Sequence, residues 1–215
     1  MKYFNIAGPC NNAKHYMIDA ATRLHGVEQL IDHEQYFVIH AARQSGKTTY
    51  LQDLTERLNA GGKYYALYCS LEGVQGVIEA ERGIPAIFDH IVLSLQKSSI
   101  PFTYDESYEQ DKKNRPLVLL ILFLTNLVKK LDKPLVILFD EADCLSEATL
   151  ISFLRQLRNG YNDRNMMPFI RSVALVGMRN IRDYKARIRP DSEALGSASP
   201  FNIITEALTI RNFTK

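Results

Sequence analysis

The sequence is poor in cysteine, in grouped metal ligands, in charge of one sign and in runs long enough to cross a membrane. Its three cysteines, Cys10, Cys69 and Cys144, are an odd number without metal-type spacing. That argues against a disulfide framework and reads as buried or incidental thiols in a reducing cytosol. The five histidines show no ligand pairing, so no structural zinc is expected. The formal net charge is only +2, which makes no electrostatic case for nucleic acid or a membrane surface as partner. The N-terminus, Met1-Lys2-Tyr3-Phe4-Asn5, lacks the long apolar core of a signal peptide. The run Leu117 to Leu124 continues into Thr125-Asn126 and Lys129-Lys130. It falls short of the roughly 18 apolar residues a span needs and reads as a helix buried on most faces. The expectation is a cytoplasmic chain with no membrane segment.

What is present is an ordinary globular composition, 46% hydrophobic and 23% charged over 215 residues. That suffices for one sizeable α/β domain or two small ones. The chain is organised around His40-Ala41-Ala42-Arg43-Gln44-Ser45-Gly46-Lys47-Thr48-Thr49. An apolar strand-like run, Tyr36 to Ile39, precedes it, and a helix-like run, Tyr50 to Leu58, follows. Strand, Gly-Lys-Thr turn and helix together spell a phosphate-binding P-loop, or Walker A motif. Ala41 stands where the usual pattern begins with glycine. In such a loop, here Ala41, Ala42, Arg43, Gln44, Ser45, Gly46, Lys47, Thr48 and Thr49, backbone N–H groups cradle phosphate oxygens. The helix N-terminus adds its positive end. Lys47 is placed to reach the β- and γ-phosphates, and the Thr48 hydroxyl to ligate Mg²⁺. Arg43 could contact phosphate or brace the loop.

Residues 1–35 read as a lead-in, broken by Gly8-Pro9 and Asn11-Asn12, with a short helix over Val27 to Ile31. Tyr16 and Ile18 read as packing residues, with contact to a nucleotide base as the alternative. Residues 36–215 read as the core domain. Gly61-Gly62 ends the P-loop helix, and Lys63 to Ser70 is a second strand. Ile87 to Leu95 is an amphipathic helix and Tyr104 to Arg115 an exposed loop. Pro116 opens the apolar helix. Leu135 to Phe139 is a strand buried on both faces, Thr149 to Arg158 a helix stopped by Asn159-Gly160, and Ser172 to Val176 another buried strand. Phe201 to Thr205 and its continuation form a last strand. Strands alternating with helices predict a mostly parallel sheet, with ligand at the carboxyl ends of its strands.

The strand at Leu135 to Phe139 ends in Asp140-Glu141-Ala142-Asp143. A carboxylate at the end of a buried strand can hold Mg²⁺ directly or through water, and Asp140 is so placed. Glu141 is the natural general base for water attacking a γ-phosphate. Asp143 could serve only as a helix cap. Arg179 and Asn180 follow another strand and could sense the γ-phosphate or orient water. Arg155 and Arg158 read as surface residues.

At these residues the chain resembles a bacterial and archaeal AAA-ATPase-like P-loop family, close to the archaeal ATPase and STAND-type proteins. The resemblance is carried by Tyr3-Phe4-Asn5 with Gly8-Pro9 and His15-Tyr16, by Ala42 to Thr49, by Lys133 to Asp143 and by Leu154 to Tyr161. Gly177 to Tyr184 and Pro200 to Ile203 extend it. It implies a three-layer α/β/α sandwich with five strands in the order 5-1-4-3-2, and ATP and Mg²⁺ as cofactors. Thr48 and Asp140 match the family's metal positions, Lys47 its phosphate lysine, Glu141 its catalytic acid, and Arg179 falls in its sensor-like segment. Related proteins continue past the position of Lys215 into a helical lid, so the lid subdomain is expected to be absent.

The leading expectation is a Mg-dependent ATP-binding, ATP-hydrolysing switch module with a protein partner, able to form oligomers. A second reading keeps nucleotide binding without hydrolysis. A third is a DEAD-type helicase fragment, since Asp140 to Asp143 spells that motif. Such enzymes carry a glycine where Gln44 stands, a Ser-Ala-Thr motif and a second domain.

Overall fold

The computed structural model describes residues 2–5, 10, 13–16, 24–40, 42, 45–177 and 204–210. Its centre is a sheet of β1 (Tyr36–His40), β2 (Tyr65–Ser70), β3 (Leu135–Asp140), β4 (Ser172–Gly177) and β5 (Ile204–Thr209). The spatial order is β2-β3-β4-β1-β5 and every neighbouring pair is parallel. Read from the other edge, this is the order 5-1-4-3-2 that the resemblance implies. Parallel neighbours cannot be joined by hairpins, so the chain crosses back over the sheet between strands. Helices in the described residues are α1 (Val27–Asp32), α2 (Lys47–Ala60), α3 (Ala80–Gln96), α4 (Ser107–Asn114), α5 (Leu119–Lys130) and α6 (Glu147–Asp163).

Both faces of the sheet are covered, so successive strand residues enter two different cores. Phe37, Ile39, Val136, Leu138, Ala174 and Val176 pack with Leu51 and Leu54 of α2 and Val27 and Ile31 of α1. Val38, Leu67, Ile137, Phe139, Val173 and Leu175 pack with Ile84 and Phe88 of α3, Phe123 of α5 and Phe153 of α6. Every residue of β3 and β4 is buried, which is why their sequences are apolar without alternation. No helix in the described residues is long and apolar enough to cross a membrane. The apolar run divides instead. Leu117 and Val118 lie in an exposed 3₁₀ turn after Pro116, while Leu119, Leu120, Phe123, Leu124 and Leu127 of α5 are buried. The first turn of α5 is capped from outside. Gln156 of α6 accepts hydrogen bonds from the amides of Leu120 (2.9 Å) and Ile121 (3.2 Å), two of the donors a helix start leaves unpaired.

Three further elements differ from the sequence expectation. The polar stretch read as a loop contains α4. Arg115 pairs with Asp111, Lys112 lies 3.5 Å from Glu109, and Tyr108 buries its ring against Phe88 and Phe123. An aromatic anchor, one-turn ion pairs and a 2.7 Å ion pair from Lys112 to Asp89 of α3 hold a helix whose composition alone is that of a solvated loop. Secondly, α6 does not stop at Gly160 but runs to Asp163. Gly160 is there for close approach, since a Cβ on it would stand 2.3 Å from the Phe169 ring. Thirdly, α3 begins at Ala80 and carries Pro85 inside it. The final strand is described over Ile204–Thr209, in line with the expected continuation through Thr205, and Phe201, Asn202 and Ile203 lie outside the described residues.

Candidate active site

At the carboxyl edge of the sheet, the exits of β1, β3 and β4 come together. β4 lies between β1 and β3, with His40 in register with Gly177. Gly46 caps α2 with φ +81°, a left-handed backbone that a side chain disfavours. The first turn of α2 points its N–H groups and positive end out of the sheet edge. Lys47 is only 6% exposed, and its ammonium donates to the Ala42 carbonyl at 3.2 Å, lying back across its own loop. Ser45 is buried beside it. The amide of Cys10 donates to Thr49 Oγ1 at 3.2 Å, tying the lead-in to the first turn of α2.

Asp140, 1% exposed at the end of β3, is the hub. Its Oδ2 accepts from the Thr48 hydroxyl at 2.7 Å and from the Tyr68 phenol at 3.1 Å; its Oδ1 accepts from the Glu141 amide at 3.0 Å. A buried carboxylate left without donors would cost several kcal/mol, and here α2, β2 and the next peptide each supply one. Burial, with Asp140 adding, pushes the Tyr68 hydroxyl well above the usual tyrosine range, so it remains a donor.

Glu141 takes the left-handed conformation, φ +54° and ψ +36°, and turns the chain out of the strand. Burial raises its carboxyl above the usual glutamate range; Asp140, Asp143 and Glu72 push the same way, and Lys47 opposes them. Asp143 does not cap α6, whose N-cap is Ser146. It lies in a 3₁₀ turn over Gly177, where a Cβ would come within 2.4 Å of its Oδ1. The third acid of the motif thus packs on the end of β4.

The structure therefore brings Ala42, Ser45, Gly46, Lys47, Thr48, Thr49, Asp140 and Glu141 to one edge. Ala41, Arg43, Gln44, Arg179 and Asn180 lie outside the described residues. Arg155 is exposed on α6, and Arg158 is half-buried. Tyr16 is 55% exposed, its ring 5.1 Å from that of Phe4, rather than packed into either core. Tyr68 is the site residue that sequence reading missed. Its signal was strand alternation, because Ala66, Tyr68 and Ser70 share a face with Val136, Leu138 and Asp140 once β2 and β3 are paired in register.

The donor set suits a hard cation carried by phosphate. Thr48 and Asp140 offer oxygen ligands side by side, and Mg²⁺ typically takes one or two protein oxygens and completes its shell with phosphate and water. Among the described residues no group of three or more His, Cys, Asp and Glu could hold a metal alone.

A glycine-capped lysine-threonine helix start, facing a buried strand-end acid across a parallel sheet, defines a nucleotide-binding P-loop module. A family model described as an AAA domain matches residues 30–184, and the chain belongs to that family. Among solved structures it is similar to Drosophila ORC bound to poly(dA/dT) DNA and Cdc6, with a TM-score of 0.56 and 12% identity over 90% of this chain and 29% of that one. It is also similar to Cdc6p from Pyrobaculum aerophilum, with a TM-score of 0.51 and 18% identity over 89% of this chain and 46% of that one. At such identities the likeness is one of fold, and the chain spans less than half the length of either. Comparison with curated proteins gave no match.

Proposed function

We propose that this chain binds ATP with Mg²⁺ and hydrolyses it, as a switch whose output is a change of conformation or assembly. The observation that carries this reading is the 2.7 Å hydrogen bond from Thr48 to Asp140, which joins the phosphate loop to the strand-end acid. Thr48 and Asp140 are the proposed metal ligands, and bound Mg²⁺ supplies charge neutralisation at the phosphates. Lys47 exchanges its contact with the Ala42 carbonyl for phosphate oxygens, a charge-assisted and stronger bond. The amides of Ala41 to Thr49 cradle the phosphates. Glu141, adjacent to Asp140, accepts the proton of the attacking water. Its raised carboxyl moves its basicity toward working pH, which favours that role. Arg179, next but one after β4, is proposed as the residue that senses the γ-phosphate.

Residues 1–35 are proposed as a lead-in packed on the core domain of residues 36–215. The Cys10–Thr49 hydrogen bond and the burial of Leu24, Val27 and Ile31 support that division. A protein partner, self-association and a cytoplasmic setting complete the proposal. The DNA bound by the Drosophila complex belongs to a much longer protein, and a net charge of +2 gives no ground for extending it to this chain.

Single-turnover hydrolysis by wild type and Glu141→Gln tests the proposal. Glu141→Gln should bind ATP as wild type does and release phosphate about 10²- to 10⁴-fold more slowly. Equal release from the two proteins would remove Glu141 from the chemistry. ATP binding with no release from wild type would leave a nucleotide-binding module that does not hydrolyse.

A further inference from the structure

We infer that Tyr68 is a positioning residue for the metal site, holding the Asp140 carboxylate through its phenol. The inference rests on the proposed Mg–ATP reading. β2 and β3 run in parallel register, with Tyr68 beside Leu138 and Ser70 beside Asp140. Tyr68 therefore stands one pleat short of Asp140 on the same sheet face. Its side chain leans along the strand to place the hydroxyl 3.1 Å from Asp140 Oδ2. The ring packs on the α2 side of the sheet, a task that phenylalanine would perform equally well. What tyrosine adds is one donor, and that donor meets the acid rather than solvent.

The position of that donor gives it a function. Oδ2 is also the oxygen that Thr48 bonds, and Oδ1 is held by the Glu141 amide. Asp140 is thus fixed about its last torsion by donors from three separate segments. The Thr48 hydroxyl has a second task if it ligates a metal, and the Glu141 amide belongs to a turn held in a left-handed conformation. The Tyr68 donor comes from inside a strand, and its hydroxyl also lies against the Thr48 side chain, the other group bonded to Oδ2. Outer donors of this kind set the orientation of a metal-ligating carboxylate, and their loss typically weakens metal binding about 10- to 100-fold.

The test is Tyr68→Phe in the full chain, with ATP binding measured by calorimetry in EDTA and across a Mg²⁺ titration. The variant keeps the ring, and its thermal unfolding without nucleotide reports whether the fold is intact. The expected result is an unchanged ATP affinity in EDTA and a Mg²⁺ midpoint about tenfold or more higher than in wild type. A Mg²⁺ midpoint equal to that of wild type overturns the inference. So does a loss of ATP affinity that is the same with and without Mg²⁺, because that marks a general structural defect. If wild type itself shows no Mg²⁺-dependent ATP binding, the parent reading fails and takes this one with it.

Discussion

Glu141 is a charge that the folded chain disfavours. Burial and the neighbouring Asp140 raise its carboxyl above the ordinary value of 4.5. A group raised in this way contributes its full stability below its unfolded pKa and loses it as pH rises through the folded value. Glu141→Gln cannot ionise, so without nucleotide and metal it should melt higher than wild type at pH 7.5. Thermal unfolding repeated near pH 4 should show that gain gone. The thiols give a second residue-scale prediction. Burial pushes Cys69 up to about 12 and Cys144 up to about 11, and the thiolate is the reactive form. Iodoacetamide at pH 8 should leave both unlabelled in the native protein and label both after unfolding, read by mass spectrometry. Asp140 and Glu141 were legible from the sequence because an apolar strand ending in paired acids is otherwise hard to explain. Tyr68 was not, because its role exists only once β2 and β3 are paired and in register.

Among the elements, α5 depends on a residue 36 positions away. Gln156→Leu preserves the side chain's bulk but removes the acceptor for the Leu120 and Ile121 amides. Leaving those buried donors unmet should cost about 1–3 kcal/mol, measured as a lower midpoint in urea. Close packing gives the parallel case for α3 and α6. A Cβ on Gly83 of α3 would stand 2.2 Å from Thr149 Oγ1 of α6, and Thr149 is fully buried. Gly83→Ala should destabilise by about 1–3 kcal/mol, and adding Thr149→Ala should recover part of that loss in a double-mutant cycle. The elements also show where sequence reading ended. Gly160 has the spelling of a helix stop, but its reason is the Phe169 ring, a partner nine residues on that periodicity cannot supply. β3 and β4 were readable because burial on both faces leaves unbroken apolar runs. α4 was not, because its anchors, Tyr108 and Lys112, meet residues of other helices, Phe88 and Asp89 of α3 and Phe123 of α5.

In the molecule as a whole, the parallel strand order sets the P-loop helix start and the strand-end acids at one edge of the sheet. β1 and β3 point the same way with β4 between them, so the loop after β1 and the acids after β3 open onto the same side. The two cores on either face fix this edge from below. The loop and the acids, 92 residues apart in sequence, meet through Thr48 and Asp140. The central claim is that this meeting point is a Mg–ATP site. Its most direct test is equilibrium ATP binding by wild type and by Lys47→Ala, with and without Mg²⁺. Wild type should bind more tightly with Mg²⁺, and loss of a charge-assisted contact to phosphate should weaken Lys47→Ala by about tenfold to a hundredfold. Equal affinity in the two proteins, unaffected by Mg²⁺, would contradict the account.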